Sequence, residues 1–115
     1  IDLEKNAIVG TWPTAEHPTE MVLSPKGDAL YVACANSTKV SVLDPATGKG
    51  LQTIVCSLYP QAPTGNTPNS LALTPDGEML FVAVLKPATL ALRASTFRGK
   101  DIEALEEGTC RKVGP

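Results

Sequence analysis

His17-Pro18-Thr19-Glu20-Met21-Val22-Leu23-Ser24-Pro25-Lys26-Gly27-Asp28-Ala29-Leu30-Tyr31-Val32-Ala33 decides the fold, because the chain says it twice. Fifty residues on stands Thr67-Pro68-Asn69-Ser70-Leu71-Ala72-Leu73-Thr74-Pro75-Asp76-Gly77-Glu78-Met79-Leu80-Phe81-Val82-Ala83. Pro, Leu, Pro, Gly, Leu, Val and Ala recur at seven matched places, with Ser24/Thr74, Asp28/Glu78 and Tyr31/Phe81 as near matches. Self-similarity at such a period marks a repeat architecture. Within each copy Met21 and Leu23, or Leu71 and Leu73, make a short apolar strand. Ser24-Pro25-Lys26-Gly27 and Thr74-Pro75-Asp76-Gly77 are tight turns, Pro fixing φ and Gly accepting a positive φ. Leu30 to Cys34 and Leu80 to Val84 are near-continuous apolar runs, the pattern of a strand covered on both faces.

Working outward, Asn36-Ser37-Thr38 is turn chemistry, Val40-Ser41-Val42-Leu43 a third strand, residues 44–50 a polar turn and Leu51 to Val55 a fourth strand. Four antiparallel strands per repeat of this length make the blade of a β-propeller. The sequence therefore predicts an all-β chain of four-stranded antiparallel blades, with material for two and no complete ring. Residues 1–16 read as the outer strand of a preceding blade, 17–66 as a first repeat, 67–99 as a second, incomplete one, and 100–115 as a polar tail or short helix. Strands are expected near 7–12, 20–24, 29–35, 39–44, 51–56, 70–73, 79–84 and 89–93. Ile102 and Leu105, followed by Gly108, suggest a short helix at 101–107 in place of a fourth strand. Leu23, Leu30, Val32, Val40, Val42, Leu71, Leu73, Leu80 and Val82 are the expected core, with Ala33 and Ala83 against neighbouring backbone.

Composition bounds the function. The 115 residues are 43% hydrophobic and 19% charged, which are globular values. A net charge of −2 leaves no basic footprint for nucleic acid, and 4% aromatics is too few for a base-stacking platform. No apolar run approaches the roughly 20 residues of a membrane-spanning helix. The chain starts at Ile1, which suggests a processed, trimmed or partial chain.

Candidate chemistry is sparse. Three cysteines without metal spacing do not make a disulfide framework; Cys34 and Cys56 sit in apolar runs as small hydrophobes, and Cys110 is the more reactive thiol. His17, the sole histidine, has no partner spacing for zinc and reads as a loop residue before a strand. Asp28, Asp44 and Asp76 fall in turns, where nothing implies the convergence that acid–base work needs, and no calcium-loop spacing appears. Thr47-Gly48-Lys49 resembles the end of a phosphate loop, but Leu43 occupies the place of its first Gly. Asn36-Ser37-Thr38 fits a glycosylation sequon and reads more simply as a hairpin turn. Ser24 and Ser70 have no paired base, and Trp12 reads as a packing residue of an outer strand. No catalytic, cofactor-binding or metal-ligating residue is assigned, and no cofactor is expected.

The run Leu23-Ser24-Pro25-Lys26-Gly27, then Tyr31-Val32-Ala33-Cys34-Ala35-Asn36, then Val40-Ser41-Val42-Leu43-Asp44-Pro45-Ala46-Thr47-Gly48 resembles the YVTN-type β-propeller repeat of surface-layer and lactonase-like proteins. The second copy matches from Pro68 to Ala83 and departs at Val84-Leu85-Lys86-Pro87, where the family has an Asn-rich turn. The resemblance implies a periplasmic or extracellular setting. With no catalytic signature, and with propellers exposing loops at both ends, the leading expectation is a non-enzymatic binding or scaffold module, with protein or small-molecule ligands at the blade loops. The alternatives are a lactonase-like hydrolase fragment or a non-functional remnant of a longer propeller. An outer strand at 7–12 without a blade, and a second blade without an outer strand, predict a homo-oligomer formed by strand exchange.

Overall fold

The computed structural model describes residues 1–57, 67–86, 91–98 and 105–107, with side chains described through Val84. It is all-β: two four-stranded antiparallel sheets, each an up-and-down meander in chain order, that do not close a ring. The first sheet comprises β1 (Pro18–Leu23), β2 (Leu30–Cys34), β3 (Lys39–Leu43) and β4 (Gly50–Val55). The second comprises β5 (Thr67–Leu73), β6 (Met79–Lys86), β7 (Ala91–Arg98) and β8 (Leu105–Glu107). Among the described residues the sole helical element is a 3₁₀ turn at Ala35–Ser37, ended by Thr38 at φ 54°.

The two repeated hairpins agree in register as well as in sequence. Met21 pairs with Val32 and Leu23 with Leu30; Leu71 pairs with Val82 and Leu73 with Leu80. Both carry an irregularity at the same place, between Pro18 and Glu20 and between Pro68 and Ser70. The turns are built alike. Ser24 Oγ donates to Asp28 Oδ1 at 2.7 Å and accepts from the Asp28 and Ala29 amides at 3.0 Å. Thr74 Oγ1 donates to Asp76 Oδ1 and accepts from the Met79 amide at 3.0 Å. Gly27 and Gly77 stand at φ 71° and 72°, the left-handed region the turn requires.

Side chains alternate across each sheet. One face, here the front, carries Met21, Leu23, Leu30, Val32, Cys34 and Leu43 in the first sheet and Leu71, Leu73, Leu80, Val82 and Val84 in the second. The back carries Val22, Tyr31, Val40, Val42 and Ile54 in the first sheet and Ala72, Phe81 and Ala83 in the second. The core forms where the front of the second sheet closes on the back of the first: Val40, Val42, Ile54, Cys56, Leu80, Val82 and Val84 are buried there, with Leu71 and Leu73 partly so. Val32, Cys34 and Leu43 make a smaller cluster on the front of the first sheet, against Leu30 and Ala15.

Several expectations are corrected. Residues 7–12 form no strand; Ala7 makes a single bridge to Asp2, and residues 8–14 join no ladder. A ladder needs a partner edge, and this stretch is held by side chains instead. The Ala15 amide donates to Ser41 Oγ at 3.4 Å, and the Glu16 amide to Ser37 Oγ at 2.8 Å. At the other end Leu105–Glu107 is a strand, not a helix: Arg93, Ala94 and Ser95 pair with Glu107, Glu106 and Leu105. Eight residues make barely two helical turns, too few to stand without packing, whereas the edge of β7 offers backbone partners at once. Both premises of the expected strand exchange are thereby lost.

The third strand of the second repeat also moves, from 89–93 to Ala91–Arg98. Val32 pairs with Ser41, whereas Val82 pairs with Ser95, so the fifty-residue interval becomes fifty-four. The apolar run Val84-Leu85 extends β6 to Lys86, and β7 begins at Ala91, with 87–90 outside the described residues. Leu23 is 52% exposed rather than buried, because it lies on the front of the first sheet.

Candidate functional site

Two surfaces remain as candidate sites: the front of the first sheet and the cleft where the sheets diverge. The front is apolar along its inner edge. Met21 is 67% exposed and Leu23 52%, while Leu30 is half-buried and Val32, Cys34 and Leu43 are buried. Its other end is crossed by the N-terminal strap, residues 8–16. The strap is seated by the two amide-to-serine bonds and by Trp12, whose indole lies on the buried Gly48. A Cβ at Gly48 would collide with the Trp12 ring, so the close approach needs glycine, as does the φ of 72°. Trp12 is thus a packing residue, as its sequence setting suggests, but on a strap and not in a strand. Strap and sheet border an open pocket of about 460 Å³ lined by Val9, Trp12, Met21, Leu30, Val32 and Leu43, among others.

The cleft between the sheets has a volume of about 800 Å³. Val42, Ile54, Leu73 and Leu80 supply apolar walls, and Lys26, Asp28, Tyr31, Gln52 and Glu78 a polar rim. Burial, reinforced by the Asp28 charge, raises the Tyr31 phenol above its ordinary pKa.

The sequence-derived candidates are scattered, each in local structural work. Asp28 is held below the usual carboxylate range by the Ser24 hydroxyl. Asp44 is held there by the Ala46 amide and by Thr47, Asp44 Oδ1 accepting at 2.8 Å from the former. His17, at φ 58°, offers its carbonyl to the Ala35 amide at 2.9 Å. Cys34 and Cys56 are buried free thiols, and burial pushes Cys56 up to about 12, with a smaller push from Cys34. Ser37 and Thr38 close the 3₁₀ turn, and Ser41 and Ser37 anchor the strap. Among the described residues no cluster of His, Cys, Asp and Glu could hold a metal ion. Cys110 lies outside the described residues, as does the segment 58–66 between the blades, and the side chain of Ser70 is exposed.

Glu20 and Thr19 were not singled out by sequence, yet they join the inner strands of the two sheets. The Leu71 amide donates to Glu20 Oε2 at 2.6 Å, and Thr19 Oγ1 lies 3.3 Å from both the Ala33 and Pro68 carbonyls. Their signal was polar residues, Thr19-Glu20 and Asn69-Ser70, at the same point of both repeats.

The class this defines is an all-β protein of stacked four-stranded meanders, each with the strand order of a propeller blade. The solved structure of U3-55K is similar, at TM-score 0.63 and 15% identity, over 84% of this chain and 28% of that one. The likeness speaks for the fold alone, and the chain spans about 28% of the length of the structure it matches. No family model and no curated protein matches the chain. Among the described residues no helix is long and apolar enough to cross a membrane.

Proposed function

We propose that the chain is a non-enzymatic interaction or scaffold module built from YVTN-like propeller blades and completed by self-association. The observation that carries this reading is the unmated front of the first sheet. Met21 and Leu23, 67% and 52% exposed, are the register equivalents of Leu71 and Leu73, which pack into the core. Exposed apolar surface of this kind marks contact sites. Blade loops and the inter-sheet cleft are then the places for further ligands, since function on such a fold lives in grafted sites.

The test sets binding against hydrolysis. A fluorescent apolar dye should bind the 115-residue chain and bind less to a Met21→Lys/Leu23→Lys variant. A lactone panel, with and without divalent metal, should show no turnover above buffer. Turnover that persists through purification and disappears in a Val32→Asp variant would overturn the module in favour of a lactonase-like hydrolase.

A further inference from the structure

We infer that the front of the first sheet docks, head to tail, on the back of the second sheet of another copy of this chain. The inference rests on the module reading and names the partner and the geometry. Its basis is the register identity of the two inner hairpins, irregularity included. Two surfaces built on one template share a mate of one kind. For Leu71, Leu73, Leu80 and Val82 that mate is visible: the back of the first sheet. That back is already occupied, so the equivalent front formed by Met21, Leu23, Leu30 and Val32 needs another.

The second sheet has such a back. Ala72, Phe81 and Ala83 stand where the first sheet has Val22, Tyr31 and Ala33, the aromatic ring kept at its place, and Phe81 is 38% exposed. The contact is heterologous: the two surfaces lie on different sheets of the chain, so one molecule can engage a neighbour on each side. The strap is anchored at the Ser41 and Gly48 end of the front and borders a pocket that reaches Met21, yet Met21 and Leu23 stay 67% and 52% exposed, so docking starts there.

Two blocked chains test this. Met21→Lys/Leu23→Lys blocks the front and Phe81→Lys blocks the back; all three positions are exposed, and far-UV dichroism checks that both variants keep the wild-type fold. Light scattering after size exclusion should find the wild type growing in mass with concentration. Each variant alone should run at monomer mass. Their equimolar mixture should give a two-chain species, because one intact front and one intact back remain. Assembly of Phe81→Lys alone to wild-type mass would mean fronts pair with fronts and would overturn the proposal. So would a mixture that stays monomeric, or a wild type monomeric at every concentration. A wild type monomeric at every concentration would also remove the self-association from the module reading; the other two outcomes leave that reading intact, and its non-enzymatic binding role stands or falls on the dye and lactone measurements.

Discussion

Gly27 and Gly48 share a backbone conformation, at φ 71° and 72°, and differ in what surrounds them. Nothing lies within 4 Å of a Cβ placed on Gly27, whereas one on Gly48 would strike the Trp12 ring. Alanine at either place meets the left-handed penalty, about 1–2 kcal/mol. At Gly48 it must also move the indole. Trp12 is 39% exposed and buries roughly 150 Å², so its complete loss would cost at most about 4 kcal/mol at 25 cal/mol per Å². A ring that slides keeps much of this, and the expected extra cost is about 1–2 kcal/mol. Urea unfolding followed by dichroism should therefore place Gly48→Ala below Gly27→Ala by that amount. In a Trp12→Ala background the difference should vanish. Because Trp12 is the single tryptophan, its emission should shift to the red in Gly48→Ala and stay put in Gly27→Ala. Equal costs for the two substitutions, with unchanged emission in both, would refute the seating of the strap on the Asp44–Lys49 turn.

Val32→Asp should lose cooperative thermal unfolding, since Val32 is 4% exposed and an unpaired charge there costs several kcal/mol. Glu20→Ala should destabilise by about 1 kcal/mol in chemical denaturation by leaving the Leu71 amide without its carboxylate, and Glu20→Gln should restore part of this. Cys56 keeps its proton in the folded chain up to about 12, against 9.0 ordinarily, so the unfolded chain releases it first as pH rises. Its contribution to stability is complete below about pH 9 and is lost towards pH 12, at up to about 1.4 kcal/mol per pH unit. Cys56→Ala should flatten the fall measured between pH 9 and 11.

The inner hairpins were legible because their signals are local: an apolar pair, a Pro-Gly turn and an apolar run, stated twice at one interval. The outer parts of the second blade were not. Pro87 and the run before it mark a longer β6, but the four-residue slip of β7 becomes visible only when Val82 is seen opposite Ser95. Leu105–Glu107 carries two acids in three residues, poor strand chemistry, and it becomes strand because β7 supplies an edge. The strap departs from the expected strand for the converse reason: beyond the single Ala7–Asp2 bridge, Ala7 to Val9 meets no edge. As for the sites, turn aspartates and buried cysteines followed from their neighbours in sequence, whereas Glu20 gained its role from an amide fifty-one residues away.

Sequence alone determined the hairpins, their turns and which residues share a face, because alternation and turn chemistry act over a few residues. Tertiary structure decided which of two equivalent faces is covered. Leu73 packs into the core while Leu23, its match at the same place in the same hairpin, is 52% exposed. Burial belongs to a residue together with its neighbour across the gap, and the neighbour of the second sheet is the first, whereas the front of the first meets only part of a strap.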